Sequence, residues 1–460
     1  MMRSNMIMFR NFQKIGKFSL ITVAVFILIT LFVSNIYRML TGELTGYRGY
    51  NYTIGGNTIN YSDGFVRRGL FGEILRLMNI LFQPFISEMI ILVLSNLFIL
   101  YIILARMIKL HIKATYIIAI ILSPSLILMH RWIEFFRTDA FLIALNIAAS
   151  YLLLSLSFAK RKPWYIRIFM SRMGGGIVDS RPTFIKMLVI DFVIFTLLTS
   201  SALIHELSAF LLPPVMLIFF FYARKSQRCM HFVALSSMLI VIYSLVAHFK
   251  YADSYIIAKS WSDIYGDPNS FMNNIGLIFV VNKASALGCV NYSINYFQNL
   301  PLKIVLHIFL AVAVPLIVLL LSGITIFHSS SARASKIRCI LIISCLFPLG
   351  LSPIASDLGR WFSFCAINIV VYSLLIAHPV RMVKHVRKSF RIISAVKQCI
   401  ILFMTVILLN FNLFFDGYFY RNDRTTIEEI NQIPSYLPNF LNYMDLLITR
   451  ELIIKPKNNL

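Results

Sequence analysis

Charge is scarce in this 460-residue chain: 13% of its residues are Asp, Glu, Lys or Arg, and only 19 acids stand against 43 basic residues. Soluble domains carry about 25% charged and about 45–50% apolar residues, whereas 58% here are hydrophobic and the mean hydropathy is +0.78. A water-soluble globule is therefore excluded. Cysteine is also sparse, with six residues, no C-x-x-C pair and no metal-ligand spacing. Cys289 alone falls in an expected external loop, so neither a disulfide framework nor a zinc centre is expected. Neither GxxxxGK[ST] nor GxGxxG occurs, so nothing reads as a nucleotide site. His205-Glu206 opens like HExxH, but Ala209 stands where the second histidine is required. No metal and no cofactor are expected. No period of 20–50 residues marks a repeat array.

What the chain has in abundance is apolar runs of about 17–25 residues, the length that crosses a hydrocarbon core of about 30 Å. The expected fold class is an all-α polytopic membrane protein with about 11 transmembrane helices. The expected spans lie near 18–37, 87–105, 114–129, 140–158, 187–204, 207–222, 230–249, 304–327, 339–355, 361–377 and 398–415. The first run, Phe18 to Val33, exceeds a signal-peptide core and lacks a small-residue cleavage site, so it is expected to stay as a span. Pro213 and Pro214 leave open whether 187–222 crosses once, kinked, or twice.

The charge map supports two crossings. With the N-terminus cytoplasmic, the inside segments (1–17, 106–113, 159–186, 223–229, 328–338 and 378–397) hold 26 Lys and Arg against one acid, Asp179. The outside segments hold the other 17 basic residues with 16 acids. A Lys/Arg excess on cytoplasmic loops is the expected signature of a correct register. The net charge of +24 is thus explained by topology, and no nucleic-acid partner is expected. Residues 1–415 form the expected bundle, with external loops 38–86 and 250–303. Residues 416–460 form an external C-terminal tail with short surface helices.

Four polar clusters fall at external span ends: SDGFVRRG (62–69), HRWIEFFRTD (130–139), His205-Glu206 and SDLGRW (356–361). Ionisable groups at the edge of hydrocarbon are costly, and they are usually paired or functional. In the first cluster Ser62 or Asp63 can cap a helix. From Phe65 to Phe82 an apolar stripe opposes Arg67, Arg68, Glu73 and Arg76, the pattern of a helix lying in the interface plane. Gly69 and Gly72 cost a helix about 1 kcal/mol each relative to Ala, which points to close approach by a helix or a headgroup. The bland reading is an interfacial helix whose arginines meet phospholipid. The sharper one gives Asp63, Arg67 or Arg68 a substrate role. Similar pairs of readings stand for the rest. Arg137 and Asp139 either pair locally or face the bundle, and His205 with Glu206 either closes a loop by a hydrogen bond or contacts substrate. Asp357 with Arg360 forms an i,i+3 pair, or Arg360 holds a phosphate.

Acids and arginines at an outer face, without nucleotide or metal, suit a donor already activated on a membrane lipid. Transfer from a polyprenyl-phosphate sugar needs a carboxylate to take the acceptor proton. It also needs cations, preferably Arg, to hold the departing phosphate. In this whole-length pattern the chain resembles bacterial polytopic GT-C-type glycosyltransferases. It also resembles O-antigen polymerases and serotype-modifying glucosyltransferases that use undecaprenyl-linked sugars. The resemblance implies many spans, an external active site and an acid in the first external loop beside an interfacial helix. Asp63 fits that acid, with Asp139 as second choice for the base. Arg67, Arg68, Arg137 and Arg360 are then candidates for the carrier phosphate, with His205, Glu206 and Asp357 beside the substrate. Paired acids directly after the first span, common in GT-C enzymes, are absent, and loop 250–303 lacks Arg and His.

The expectation is an inner-membrane glycosyltransferase of surface-polysaccharide (lipopolysaccharide) assembly, of the O-antigen polymerase type. The alternative within the class is a side-branch glucosyltransferase. The alternative outside it is a lipid-linked sugar transporter or flippase. The implied partners are membrane lipids and a polyprenyl-(di)phosphate-linked sugar; the polymerase reading adds a separate flippase and a chain-length regulator.

Overall fold

The computed structural model describes residue 61 and residues 69–78, 84–110, 112–121, 138–157, 184–205, 208–222, 236–245, 332–351 and 358–377, with short pieces at 256, 259–260, 294–295, 298, 313, 315–319, 396 and 399–401. Among the described residues the chain is helical, with a few turns and no strand. The helices are α1 (Gly69–Met78), α2 (Pro84–Lys109), α3 (Ala114–Ile121), α4 (Asp139–Ser157), α5 (Phe184–Ile204), α6 (Ser208–Tyr222), α7 (Ser236–Leu245), α8 (Ala332–Ser344) and α9 (Leu358–Ile376). A 3-10 segment at Phe347–Leu351 lies between α8 and α9. The expected spans at 18–37 and 398–415 fall outside the described residues, apart from positions 399–401, as does the 416–460 tail.

Helix α2 shows how the sequence builds the bundle. Pro84 heads it, where a missing N–H costs nothing. Arg106 and Lys109 occupy its last turn, where cations suit the helix dipole. Its 26 residues rise about 39 Å. Of the described helices, Ser87–Lys109 is the one long and apolar enough to cross a membrane; Asp139–Leu154, Val189–Ile204, Ser208–Phe221, Ser236–Leu245 and Trp361–Ile376 are shorter apolar helices.

The faces of α2 are inverted relative to a soluble helix. Leu92, Ile99, Ile103 and Met107 are buried together with Ser87, Glu88, Ser95 and Asn96. Leu94 (60% exposed), Leu97 and Tyr101 (65%) lie on the surface. Helix α5 exposes Phe192 (69%), Val193 and Thr196 and buries Ile194, Leu198 and Ser201. Helix α7 exposes Met238, Ile240, Val241 and Leu245. Large exposed apolar faces mark surfaces that contact lipid or another protein.

Helix α4 is the hub, packing on α2, α5 and α6. Ala140, Ala144, Ala149 and Ser150 are buried along it, and such small residues let backbones approach closely. Helix α9 is enclosed, with nearly every residue from Trp361 to Ala377 buried; it packs on α2, α8 and the 3-10 segment. Helix α1 lies on α2 and α5.

Two contacts give the helices their direction. Arg106, near the end of α2, donates from Nε to the Leu374 carbonyl at 2.9 Å and from Nη2 to the Leu375 and Ala377 carbonyls at 2.7 and 3.2 Å. These are the orphan carbonyls of the last turn of α9, so α2 and α9 end together and run parallel. At the other end Phe71 of α1 meets Phe141 of α4, ring centroids 5.9 Å apart. Only five residues separate α1 from α2, so α4 also starts beside the head of α2.

The 187–222 region is two helices. Helix α5 ends at Ile204, His205 is non-helical, and the Ser208 N–H donates to the His205 carbonyl at 3.0 Å to start α6. Both helices lie against α4, and Pro213 and Pro214 sit inside α6 without ending it. Near 339–355 the structure departs from the expected uninterrupted span. Helix α8 starts earlier, at Ala332, taking in Arg338 as a buried residue, and stops at Ser344. Pro348 and Gly350 stand in the 3-10 segment that replaces its continuation.

Candidate functional site

Helix α1 packs on α2 and α5 and meets the head of α4 through Phe71 and Phe141. Asp139 is the first residue of α4 and is 4% exposed. The Leu142 N–H donates to the Thr138 carbonyl at 2.9 Å, so the Asp139 carboxyl stands in the first turn, where the helix dipole favours negative charge. Ser87 and Glu88 are buried in the first turn and a half of α2. Half-buried His205 sits at the turn where α5 ends and α6 starts. Ser201, one turn before it, is bonded to Asn146 of α4 at 3.0 Å, two turns below Asp139. Just beyond His205, the Ser208 hydroxyl is hydrogen-bonded to the Tyr243 hydroxyl. One end of the bundle thus gathers two carboxyls and an imidazole.

Helix α1 is itself tied to the residue that precedes the SDGFVRR segment. The Tyr61 N–H donates to Glu73 Oε2 at 3.3 Å. Arg76 Nε donates to both Glu73 oxygens, at 3.2 and 3.1 Å. The Arg76 fork holds the Glu73 carboxyl below its ordinary range, a bond from the Tyr61 backbone helps, and partial burial opposes both. Burial pushes the Tyr61 phenol up to about 12, with Glu73 adding to the shift. The close neighbour at Gly69 is the Tyr61 ring, with which a Cβ there would collide. The chain therefore leaves at Tyr61 and returns at Gly69 beside it. Asp63, Arg67 and Arg68 belong to the seven residues between these two anchors.

Of the residues expected in the site, Asp139 and His205 come to the same end of the bundle. Arg360 occupies the first turn of α9, and the placement of its side chain lies outside the description. Asp63, Arg67, Arg68, Arg137, Glu206 and Asp357 lie outside the described residues. Trp361 is buried with its ring against Phe364, centroids 5.7 Å apart, and serves as core. Among the described residues no group of three His, Cys, Asp or Glu could hold a metal ion.

Sequence reasoning does not single out Glu88. The available signal was an acid only four residues inside a 26-residue helix, since a carboxyl placed in an apolar helix is expensive. It also passed over Asn96, Asn146 and Asn368, all buried. Within apolar runs they read as minor interruptions.

Chemically, a buried carboxyl at a helix head can take a proton from a hydroxyl placed against it. A second acid, Glu88, and the imidazole of His205 lie toward the same end of the bundle. Comparison with known proteins finds no matching family model, no matching curated protein and no matching solved structure.

Proposed function

We propose that this chain is a multi-pass protein of the bacterial inner membrane, with about 11 spans, a cytoplasmic N-terminus and an external C-terminus. In this reading it is a glycosyltransferase acting at the outer face on polyprenyl-linked sugars, of the O-antigen polymerase type. The large apolar residues exposed on α2, α5 and α7 (among them Leu94, Phe192 and Ile240) support the membrane setting, as do Ser95 and Asn96 of α2, which turn inward. The parallel course of α2 and α9, second and tenth in the expected series, agrees with the alternation that the charge map requires.

The observation that carries the catalytic reading is the gathering of Asp139, Glu88 and His205 at the bundle end beside α1. The segment with Asp63, Arg67 and Arg68 is anchored at α1 by Tyr61 and Gly69. Asp63 is the proposed base and Asp139 the second candidate; Arg67, Arg68, Arg137 and Arg360 would hold the carrier phosphate, with Asp357 and Glu206 beside them. Proteoliposomes given polyprenyl-diphosphate-linked repeat units test this directly. New glycosidic bonds, counted by mass spectrometry, are expected from the native chain. The absence of both elongated and branched product would refute the reading.

A transport reading is favoured by one feature, the uncharged polar groups buried along the bundle. In the same vesicles, translocation of the lipid-linked unit without bond formation would establish it.

A further inference from the structure

Three buried asparagines carry side-chain atoms with no hydrogen-bond partner: Asn96 Oδ1 on α2, Asn146 Oδ1 on α4 and Asn368 Nδ2 on α9. Each is 2–3% exposed. The other ends of the first two are committed. Asn96 Nδ2 donates to the Leu92 carbonyl at 2.9 Å. Asn146 Nδ2 donates to the Leu142 carbonyl at 2.8 Å and to Ser201 Oγ at 3.0 Å.

Helix geometry places the three at one depth. The Ser150 and Tyr372 hydroxyls are bonded at 3.1 Å across the gap between α4 and α9. Asn146 lies four residues before Ser150, whose hydroxyl donates back to the Asn146 carbonyl at 2.9 Å. Asn368 lies four residues before Tyr372. The two helices are parallel, so both asparagines sit one turn, about 6 Å, above that bond and face the same gap. Asn96 is ten residues before Arg106, which binds the last turn of α9. This puts it within about one turn of Asn368, on a helix that packs against both α4 and α9.

The unmet needs are two acceptors and one donor. A cation would satisfy the two carbonyl oxygens and oppose the amide N–H, and an anion would do the reverse. A hydroxyl group both donates and accepts and carries no charge. The geometry points to an internal site for hydroxyl groups, formed by Asn96, Asn146 and Asn368, with the Ser150–Tyr372 bond as its floor. Water or the hydroxyls of a sugar supply that chemistry. The site stands independently of whether the chain transfers sugar, because its evidence is the orphaned amides alone.

The test uses the full-length protein in detergent micelles, with N96L, N146L and N368L made singly. Thermal unfolding is followed alone, with farnesyl phosphate, and with farnesyl phosphoryl-glucose, which differs from it by the sugar. If the sugar raises the native Tm beyond farnesyl phosphate, the leucine variants are expected to lose that increment and keep the farnesyl phosphate effect. Retention of the increment in all three variants overturns the site. If the sugar adds nothing to the native protein, water is the occupant, and the variants are expected to unfold at least about 2 °C lower, because each leaves the partners of its water unmet. Variants as stable as the native chain, or more so, would then show amides that serve no ligand, and the proposal fails. Where a leucine variant does not insert, valine at the same position is read by the same criteria.

Discussion

Arg106 donates from Nε to the carbonyl of Leu374, 268 residues away in sequence, at 2.9 Å. Together with its bonds to Leu375 and Ala377 it caps the last turn of α9 with a side chain of α2. It also settles the shared direction of the two helices, on which the depth of every interior group depends. Charged hydrogen bonds of this type contribute about 1.5–3 kcal/mol. Arg106→Leu is expected to destabilise the protein by that amount in thermal unfolding. Arg106→Lys is expected to recover only part, since one ammonium cannot serve three carbonyls as a planar fork does. An unchanged Tm for R106L would remove the cap from the account.

The Tyr61 ring over Gly69 makes a sign-reversing prediction. Gly69→Ala gains up to about 1 kcal/mol of helix propensity but must displace the ring, and such overpacking costs about 1–3 kcal/mol. The single variant is expected to be destabilised. In a Tyr61→Ala background, where the collision is gone, the same change is expected to be neutral or stabilising. A double-mutant cycle on Tm reads the coupling, and zero coupling contradicts the contact.

The ties around Glu73 predict opposite pH limbs. Its carboxyl is held below the ordinary range, so its contribution is complete above the unfolded-state value and is lost as pH falls through the lowered one. The Tyr61 phenol is pushed up to about 12, so its contribution is complete below about 10 and is lost as pH rises through about 12. Glu73→Gln should flatten the acid limb of a Tm-against-pH curve, and Tyr61→Phe the alkaline limb. Identical curves for native and variants would show that neither group is linked to folding.

Much of this architecture is legible in the sequence, and the illegible parts share a cause. Apolar runs mark helices because that signal is local. Helices α2, α4, α5, α6 and α9 fall within a few residues of the expected spans. The end of α8 is less legible, since the hydrophobicity of 345–351 continues past Ser344 while Pro348 and Gly350 change the backbone. The Tyr61–Gly69 approach, the Arg106 cap and the asparagine level depend on distances between segments. Glu88 illustrates the difference for the site: its acidity is plain in the sequence, but its place beside the head of α4 is not.

The membrane setting predicts an asymmetry at Leu97, an exposed residue of α2. At the centre of a membrane helix an Asp costs about 2.5–3.5 kcal/mol of insertion free energy. Leu97→Asp is therefore expected to reduce the alkali-resistant membrane fraction sharply, with Leu97→Ala remaining close to native. If α2 faced water instead, the aspartate would be tolerated and the membrane fraction unchanged.

The central claim is that carboxyls at the α1 end of the bundle carry sugar transfer at the outer face of the inner membrane. The most direct measurement is the lipopolysaccharide ladder of cells in which Asp63→Asn or Asp139→Asn replaces the native chain at equal membrane abundance. The account predicts that at least one of the two variants abolishes the polymer ladder, or the side-branch modification in its place. A native ladder and native modification from both variants would contradict it.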